Sequence, residues 1–177
     1  MVIVGGAAAI ALREGGWRGV VVLIGNENML PYERPPLSKA PLIEETKPGP
    51  KLLVTHERLA ELGIRYLEGR SVESIDRAAH TVTLSDRAQL AYERLLLTTG
   101  ARPRKLSNPA AAGSRMATLR TYADALAIRR IIGRGCEVVV NCGGFIGLEV
   151  AASAVARGAS VTWSRPARGC LSFGLQY

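Results

Sequence analysis

The stretch VVVNCGGFIGLEVAASAVARGASVTW, residues 138–163, constrains the fold more than any other part of the chain. It reads as a buried strand, a glycine turn, an alanine-rich helix and a second strand. Consecutive apolar residues are typical of parallel strands that are covered on both faces. Parallel neighbours need a crossover connection, usually a helix, so this stretch predicts a β-α-β unit of an α/β fold.

The turn of this unit has the spacing Cys142-x-Gly144-x-x-Gly147. In dinucleotide-binding turns the first glycine makes the tight turn, the second lets the pyrophosphate approach the helix N-terminus, and the third packs the helix on the strand. The second and third glycines are present, and Cys142 replaces the first. The motif predicts a nicotinamide dinucleotide site; a glycine turn that only packs a helix on a sheet is the alternative.

The strand that follows ends at Arg165, where an acidic residue usually contacts the cofactor ribose. A carboxylate repels a 2′-phosphate, whereas a guanidinium pairs with one. Arg165 therefore favours NADPH over NADH, and an exposed loop arginine is the alternative interpretation.

The N-terminus carries a weaker copy of the same pattern. VIV at 2–4, a glycine pair, an alanine-rich helix ending near 15–16, and VVVLIG at 20–25 predict a second strand–turn–helix–strand unit. Gly5, Gly6 and the alanines after them do not match the three-glycine spacing in any register. We therefore expect a shortened phosphate cradle here.

The middle of the chain reads as loops and short strands. The prolines at 31–36 exclude a long regular element, and HERLAELG at 56–63 predicts a short helix. From Arg65 onward, alternating β-branched segments separated by DRAA and DRAQ turns predict an antiparallel meander. The meander is expected to lead into a buried strand, LLLTTG, at 95–100.

The second half begins after a linker-like segment, ARPRKLSNPAAAGS. It predicts a domain boundary, with domains at 1–105 and 106–177. The following segment, YADALAIRRIIGRG, predicts a helix with Thr121 as its N-cap. RPARGCLSFGLQY shows no clear period, so no regular element is predicted at 165–177.

Composition excludes several classes of protein. No apolar run approaches the roughly 20 residues that span a bilayer, and the N-terminus lacks the basic region of a signal peptide. The 3 cysteines have no CxxC spacing and the histidines number 2, so neither a disulfide framework nor a metal site is predicted and a reducing cytoplasm is expected. The net charge of +8 is scattered, which favours an acidic partner or phosphate-bearing cofactors over nucleic acid.

Four ordered blocks carry a resemblance to a known family. LPYERPPLSK (30–39), LLLTTGARPR (95–104), ATLRTYADA and GGFIGLEVAASAVARGA resemble the flavoprotein ferredoxin reductases, which include putidaredoxin and rubredoxin reductases and apoptosis-inducing factor. The resemblance implies FAD/NAD(P)-binding, Rossmann-like three-layer domains with a small antiparallel meander, incomplete in this chain. Residues 1–105 would be the N-terminal part of the FAD domain, and 106–177 part of the NAD(P)H domain.

The resemblance also implies roles for individual residues. Arg34 would pair with the FAD pyrophosphate and Lys39 would lie near the isoalloxazine, with solvated charges on a proline-rich loop as the alternative. Glu149 would face the nicotinamide, or otherwise be an acid stabilised by the helix dipole. Lys39 and Glu149 are the predicted catalytic residues. The remaining predicted contacts are Gly5, Gly6, Asn26, Glu27, Val72, Thr99, Gly100 and Arg120 for FAD, and Gly144, Phe145, Ile146, Gly147 and Arg165 for NAD(P)H.

The implied activity is transfer of electrons from NAD(P)H through FAD to a small iron–sulfur or rubredoxin-like acceptor in the cytoplasm. No nucleic acid or membrane partner is expected, and a homodimer is left open. The sequence departs from the family pattern in the short first glycine turn, in Asn26 where a ribose-binding acid is usual, and in its end at Tyr177. The alternatives are a truncated, catalytically inactive fragment and a stand-alone nucleotide-binding module.

Overall fold

The computed structural model describes residues 2–4, 6–44, 46, 49–103, 115–164 and 172–176. The chain divides into two compact units: unit 1 comprises Met1–Tyr32 and Leu52–Gly100, and unit 2 comprises Glu33–Lys51 and Ala101–Tyr177. The predicted domain limits of 1–105 and 106–177 differ from these units, because Glu33–Lys51 lies with unit 2. The assignment of the two halves to an FAD and an NAD(P)H domain stays a prediction.

The secondary structure alternates between strands and helices along most of the chain. In chain order, the described elements are β1 (Val2–Val4), α1 (Gly6–Glu14), β2 (Val21–Ile24), a 3₁₀ helix (Pro35–Ser38), α2 (Ala40–Ile43), α3 (His56–Glu61), β3 (Ile64–Leu67), β4 (Val72–Asp76), β5 (Thr81–Leu84), β6 (Gln89–Ala91), β7 (Arg94–Leu95), β8 (Arg115–Ala117), α4 (Tyr122–Ile131), β9 (Glu137–Asn141), α5 (Phe145–Ala156), β10 (Ser160–Ser164) and β11 (Ser172–Gln176).

Unit 1 is built on a parallel sheet with the strand order β3-β2-β1-β7. Val21 and Leu23 of β2 pack with Ala9 of α1 on one face of the sheet. Val22 points to the opposite face and packs with Val82 of the β4-β5-β6 meander. Helix, sheet and meander therefore form three layers, which explains the uninterrupted apolar run of β2. The predicted Rossmann-like α/β fold with its antiparallel meander is confirmed.

Aspartates close the turns of the meander, as the DRAA and DRAQ segments predict. Asp76 Oδ1 accepts hydrogen bonds from the amides of Ala78 and Ala79 at 2.9 and 2.8 Å. Asp86 Oδ1 accepts one from the amide of Ala88 at 3.2 Å. These side-chain acceptors replace backbone acceptors that a tight turn cannot supply.

Two predictions for unit 1 are wrong in detail. The first strand after Gly63, β3, pairs parallel with β2 and belongs to the main sheet, not to the meander. LLLTTG is not a buried strand: β7 ends at Leu95, and Leu96 and Leu97 are 46% and 60% exposed. β7 pairs only with β1 among the described strands and lies at the edge of the sheet, so the residues after it have no buried position to fill.

Unit 2 contains a sheet with the order β10-β9-β11-β8. β9 and β10 are parallel and joined by α5, as the β-α-β prediction requires. Val138 and Val140 of β9 and Val150 and Ala154 of α5 are buried. The prediction of no regular element at 165–177 is wrong for β11, which pairs antiparallel with β9 and β8. A strand of five residues with only Phe173 and Leu175 as apolar members is too short a signal to stand out in the sequence.

The segment Glu33–Lys51, called the proline-rich segment below, adds the 3₁₀ helix and α2 to unit 2. Both short helices pack against α4 and α5, and Leu37 and Leu42 are buried there. Prolines at the starts of these helices fix the backbone where no amide donor is needed. The expectation that prolines exclude a long element here is confirmed. No helix among the residues described above is long and apolar enough to cross a membrane.

Candidate functional site

A cleft of about 280 Å³ in unit 2 brings together predicted site residues that are far apart in the sequence. Its walls carry positive groups, one carboxylate and apolar side chains. The lining residues are Arg34, Pro35, Leu37, Ser38, Lys39, Leu119, Arg120, Ile146 and Glu149. Of the predicted residues, the structure thus places Arg34, Lys39, Arg120, Ile146 and Glu149 around one cavity.

Arg34 is held at the start of the 3₁₀ helix by a contact to the other side of the cleft. Its Nη1 donates a hydrogen bond to the backbone carbonyl of Arg120 at 2.7 Å. The two prolines that follow fix the backbone direction, so the guanidinium is oriented before any ligand arrives. A planar guanidinium in a fixed position is well suited to bind a phosphate.

Arg120 is in turn fixed by the first turn of α4. Asp124 Oδ2 accepts hydrogen bonds from the amides of Arg120 and Thr121 at 2.9 and 2.8 Å. Thr121 Oγ1 accepts one from the amide of Asp124, which completes a capping box. The predicted N-cap at Thr121 is confirmed. The same box holds the carbonyl that receives Arg34.

Among the described residues that line the cleft, Glu149 is the acidic one. Its Oε2 accepts a hydrogen bond from Ser38 Oγ at 2.5 Å, and its Oε1 lies 3.3 Å from Lys39 Nζ. The Ser38 hydrogen bond is the largest cause that lowers the pKa of Glu149, and Lys39 lowers it further, whereas desolvation opposes both. Glu149 is therefore a carboxylate at neutral pH, and both of its oxygens have a partner.

The N-terminus of α5 carries three further predicted nicotinamide contacts, Gly144, Phe145 and Gly147. Gly144 is the N-cap of α5, and as a glycine it has no side chain that could cap the helix. Phe145, the next residue, is 86% exposed. A Cβ built on Gly144 would meet no atom within 4 Å. The first amides of a helix lack intrahelical partners and attract anions, so this open end can receive a phosphate.

Gly147 has a structural role that the fingerprint predicts. A Cβ at this position would lie 2.7 Å from the carbonyl oxygen of Cys142. Cys142 is fully buried, and its carbonyl accepts a hydrogen bond from Trp163 Nε1 at 2.8 Å. Cys142 in place of the first glycine thus fits within the strand–helix packing and leaves the helix N-terminus open.

The predicted FAD contacts of unit 1 follow the carboxyl ends of its parallel strands, where nucleotides bind in such sheets. Gly6 is the first residue of α1, and a Cβ there would lie 2.9 Å from Pro31 Cβ. Asn26 is exposed, and Glu27 Oε2 accepts a hydrogen bond from the Tyr32 hydroxyl at 2.5 Å. The others predicted in this unit are Val72 at the start of β4, and Thr99 and Gly100 in the exposed chain after β7.

Two predicted residues, Gly5 and Arg165, lie outside the described residues. Sequence reasoning missed others. Ser38, Ser153 and Asp124 carry contacts that orient the predicted residues, and none was singled out beforehand. The spacing of Glu149 and Ser153, one helical turn apart, and Asp124 three residues after an N-cap threonine were the available signals.

The residues present fit the cofactors that the resemblance implies. An open helix N-terminus, the guanidinium of Arg34 and the ammonium of Lys39 are donors for phosphate groups. Leu37, Leu119 and Ile146 offer an apolar wall for a flat ring. A Cβ at Gly144 would meet no protein atom within 4 Å, so the helix start is open to the close approach that a dinucleotide turn needs.

The fold is that of the FAD/NAD-binding, Rossmann-like reductases. The chain belongs to the pyridine nucleotide-disulphide oxidoreductase family, which it matches over residues 2–173. Proteins of this family and its ferredoxin–NAD(+) reductases use FAD and NAD(H).

Two relatives of the chain are reductases of putidaredoxin and of a ferredoxin. The chain is 40% identical over 165 residues to putidaredoxin reductase of Pseudomonas putida, and 40% identical over 158 residues to the ferredoxin–NAD(+) reductase component of the p-cumate 2,3-dioxygenase system of the same organism. These matches cover 90% and 89% of this chain and 39% of each relative.

Solved structures agree. The covalent putidaredoxin reductase–putidaredoxin complex matches with a TM-score of 0.83 and 39% identity, and a ferredoxin reductase from Rhodopseudomonas palustris with 0.84 and 34%. Each match covers 92% of this chain and 41% of the solved chain. The chain thus spans about two fifths of the length of the relatives that it matches.

Proposed function

We propose that this chain carries the nicotinamide site and part of the flavin site of an NAD(P)H:ferredoxin-type flavoprotein oxidoreductase. The observation that supports this most is the cleft of unit 2, which is lined by Arg34, Lys39 and Glu149 although Lys39 and Glu149 lie 110 positions apart in the sequence. When bound, FAD would accept a hydride from NAD(P)H and release electrons singly to an acceptor. The protein would bind and orient the two cofactors and exclude water from the cleft.

Each residue around the cleft has a task in this proposal. The open N-terminus of α5 at Gly144 binds the NAD(P)H pyrophosphate, and Arg34 pairs with a phosphate of FAD. Lys39 presents its ammonium to the ring end of the cleft, where Glu149 balances the charge. Leu37 and Ile146 exclude water from the ring-binding wall, and a drier site strengthens the electrostatic interactions inside it.

The proposed electron acceptor is a small iron–sulfur or rubredoxin-like protein. The names of the relatives support it, since they include a putidaredoxin reductase, a rubredoxin–NAD(+) reductase and a reductase–putidaredoxin complex. The net charge of +8 also favours an acidic partner. A cytoplasmic location and a homodimer belong to the same proposal.

The experiment begins with FAD titrated into the purified chain, followed by the change in flavin fluorescence. We expect saturable binding that Arg34→Gln weakens at least about tenfold, because a charge-assisted phosphate contact contributes about 1.5–3 kcal/mol. Arg130→Gln removes an exposed arginine of α4 and is the matched control. Absence of flavin binding in the unaltered chain would reject the flavin part of the proposal.

Turnover is measured next, with NADH or NADPH as the electron donor. Ferricyanide is the first acceptor, and a ferredoxin or rubredoxin, whose reduction is followed by its absorbance, is the second. We expect donor oxidation that depends on added FAD. Arg165→Gln is expected to lower any preference for NADPH over NADH, since a guanidinium pairs with a 2′-phosphate. Flavin binding without any donor oxidation would identify a catalytically inactive fragment, and dinucleotide affinity without flavin binding would identify a nucleotide-binding module.

A further inference from the structure

Ser38 lies at the junction of the 3₁₀ helix and α2, and it is only 3% exposed. Its side-chain hydroxyl and its backbone carbonyl both form hydrogen bonds to residues of α5. Its hydroxyl donates to Glu149 Oε2 at 2.5 Å, and its backbone carbonyl accepts a hydrogen bond from Ser153 Oγ at 2.7 Å. Ser153 is itself 2% exposed. Two buried contacts therefore join this point of the proline-rich segment to one face of α5.

The position of Glu149 is determined more by Ser38 than by Lys39. Lys39 is 57% exposed, and exposed ion pairs of long side chains contribute about 0–1 kcal/mol because ordering the side chains costs entropy. Ser38 has one rotatable side-chain bond and a buried hydroxyl. A hydrogen bond from such a donor to a carboxylate fixes the direction of the acceptor at a small entropic cost.

Helix geometry adds to this constraint. Glu149 and Ser153 are one helical turn apart on α5 and therefore share a face. The Glu149 carboxylate accepts a hydrogen bond from the Ser38 hydroxyl, and the Ser153 hydroxyl donates one to the Ser38 backbone carbonyl. A rotation of α5 or a shift of the proline-rich segment would lengthen both hydrogen bonds together. Because Lys39 directly follows Ser38 in the chain, the two hydrogen bonds also fix the position of the Glu149 carboxylate relative to Lys39.

In the part of the chain that the structure describes, the other charged groups that line the cleft are cations. They are Arg34 and Lys39 from the proline-rich segment and Arg120 from the residues before α4. Of these, Lys39 lowers the pKa of Glu149, and among the described residues Ser38 supplies the hydroxyl donor to the carboxylate. Removal of the hydroxyl alone therefore changes one interaction of the carboxylate without changing the charge of the cleft.

We propose that Ser38 is a positioning residue, which fixes the Glu149 carboxylate so that Glu149 holds the Lys39 ammonium against the wall of the cleft. Ser153 supports Ser38 from α5. The consequence for hydride transfer rests on the function proposed above, whereas the contacts themselves do not. The substitution Ser38→Ala would release the carboxylate and, through it, Lys39.

The test is a pH titration of the Glu149 carboxyl by carbon NMR of the full chain with labelled glutamate, assigned with Glu149→Gln. In the unaltered chain we expect a midpoint below the ordinary glutamate range. Ser38→Ala should move the midpoint up towards the ordinary glutamate range, because the first cause of the lowered pKa is removed. Ser38→Cys, with a similar volume and a weaker donor, should move it in the same direction if the alanine variant does not fold.

Ser164→Ala is the matched control, because it removes a serine hydroxyl of unit 2 that donates to Asn141 and not to Glu149. An unchanged Glu149 midpoint in Ser38→Ala, or an equal shift in Ser164→Ala, would overturn the proposal. In a chain that turns over, Ser38→Ala should lower kcat severalfold with little change in KM for NAD(P)H. If the unaltered chain shows no turnover, the proposed function fails, and the NMR midpoints still decide whether Ser38 positions Glu149.

Discussion

Gly147 lies so close to Cys142 that a Cβ on the glycine would come within 2.5 Å of the cysteine Cβ. The two residues hold the start of α5 against the end of β9. The third glycine of the dinucleotide turn is therefore required by the packing of this molecule. The cysteine fills the space that the missing first glycine would have left.

Gly147→Ala is expected to destabilise the fold by about 1–3 kcal/mol, the usual cost of forcing an extra methyl group into a packed site. The backbone carbonyl of Cys142 would also be 2.7 Å from the new methyl, so a smaller side chain at 142 cannot relieve the clash fully. Urea unfolding of both proteins measures the difference. A loss within experimental error would show that the helix shifts easily.

Gly144→Ala should separate binding from stability. Its Cβ would meet nothing within 4 Å, and the backbone φ of −109° suits any residue. We expect an unfolding midpoint close to that of the unaltered chain. The methyl group would stand where the proposed pyrophosphate approaches, so NAD(P)H affinity should fall at least about tenfold by calorimetry. Full affinity in this variant would place the dinucleotide elsewhere.

The capping box of α4 predicts a stability effect that extends to the cleft. Thr121→Ala should cost about 1 kcal/mol, because it leaves an amide at the helix start without its acceptor. Asp124→Ala should cost more, since the carboxylate accepts from two amides. It should also weaken flavin binding, as Arg120 would no longer present its carbonyl to Arg34 in a fixed position. Thr121→Ser keeps the hydroxyl and serves as the control in unfolding measurements.

Tyr66 predicts how unit 1 responds to alkali. Its hydroxyl donates to the carbonyl of Met29 at 2.8 Å. Desolvation first, and then the charges of Glu68 and Glu27, raise the pKa of Tyr66 from 10.0 to about 12. A raised pKa means that the protonated group stabilises the fold fully below about pH 10, and that this stability is lost as the pH rises through about 12.

Tyr66→Phe tests this relationship. The variant should lose the latest step of tyrosinate formation in an ultraviolet titration, and its stability should fall less between pH 10 and 12 than that of the unaltered chain. Below pH 10 it should be slightly less stable, since the hydrogen bond to Met29 is absent. Identical alkaline unfolding curves for the two proteins would contradict the assignment.

Local patterns were sufficient to predict much of the fold. Apolar runs predicted β2 and β9, Thr121 predicted the start of α4, and paired Asp-Arg turns predicted the meander. Each of these signals depends on residues within one turn or one strand of each other. The physical rule that converts them to structure is therefore local too.

Other features depend on parts of the chain that meet only after folding. LLLTTG has the composition of a buried strand, but β7 lies at a sheet edge, and edge position is not written in the strand itself. The hydrogen bond between Ser38 and Glu149 joins residues 111 positions apart. Resemblance to a family suggested that Lys39 and Glu149 matter, but it did not identify Ser38 as the residue that orients them.

The proline-rich segment leaves unit 1 after Tyr32, joins unit 2, and returns the chain to unit 1 at Leu52. No single cut of the polypeptide can therefore yield unit 1 without also carrying a piece of unit 2. During synthesis Leu37 and Leu42 leave the ribosome long before α4 and α5, the helices against which they pack. Their side chains therefore stay exposed to solvent until those helices have been synthesised. Ribosome-bound chains that end before Tyr122 should accordingly present an apolar binding site to chaperones.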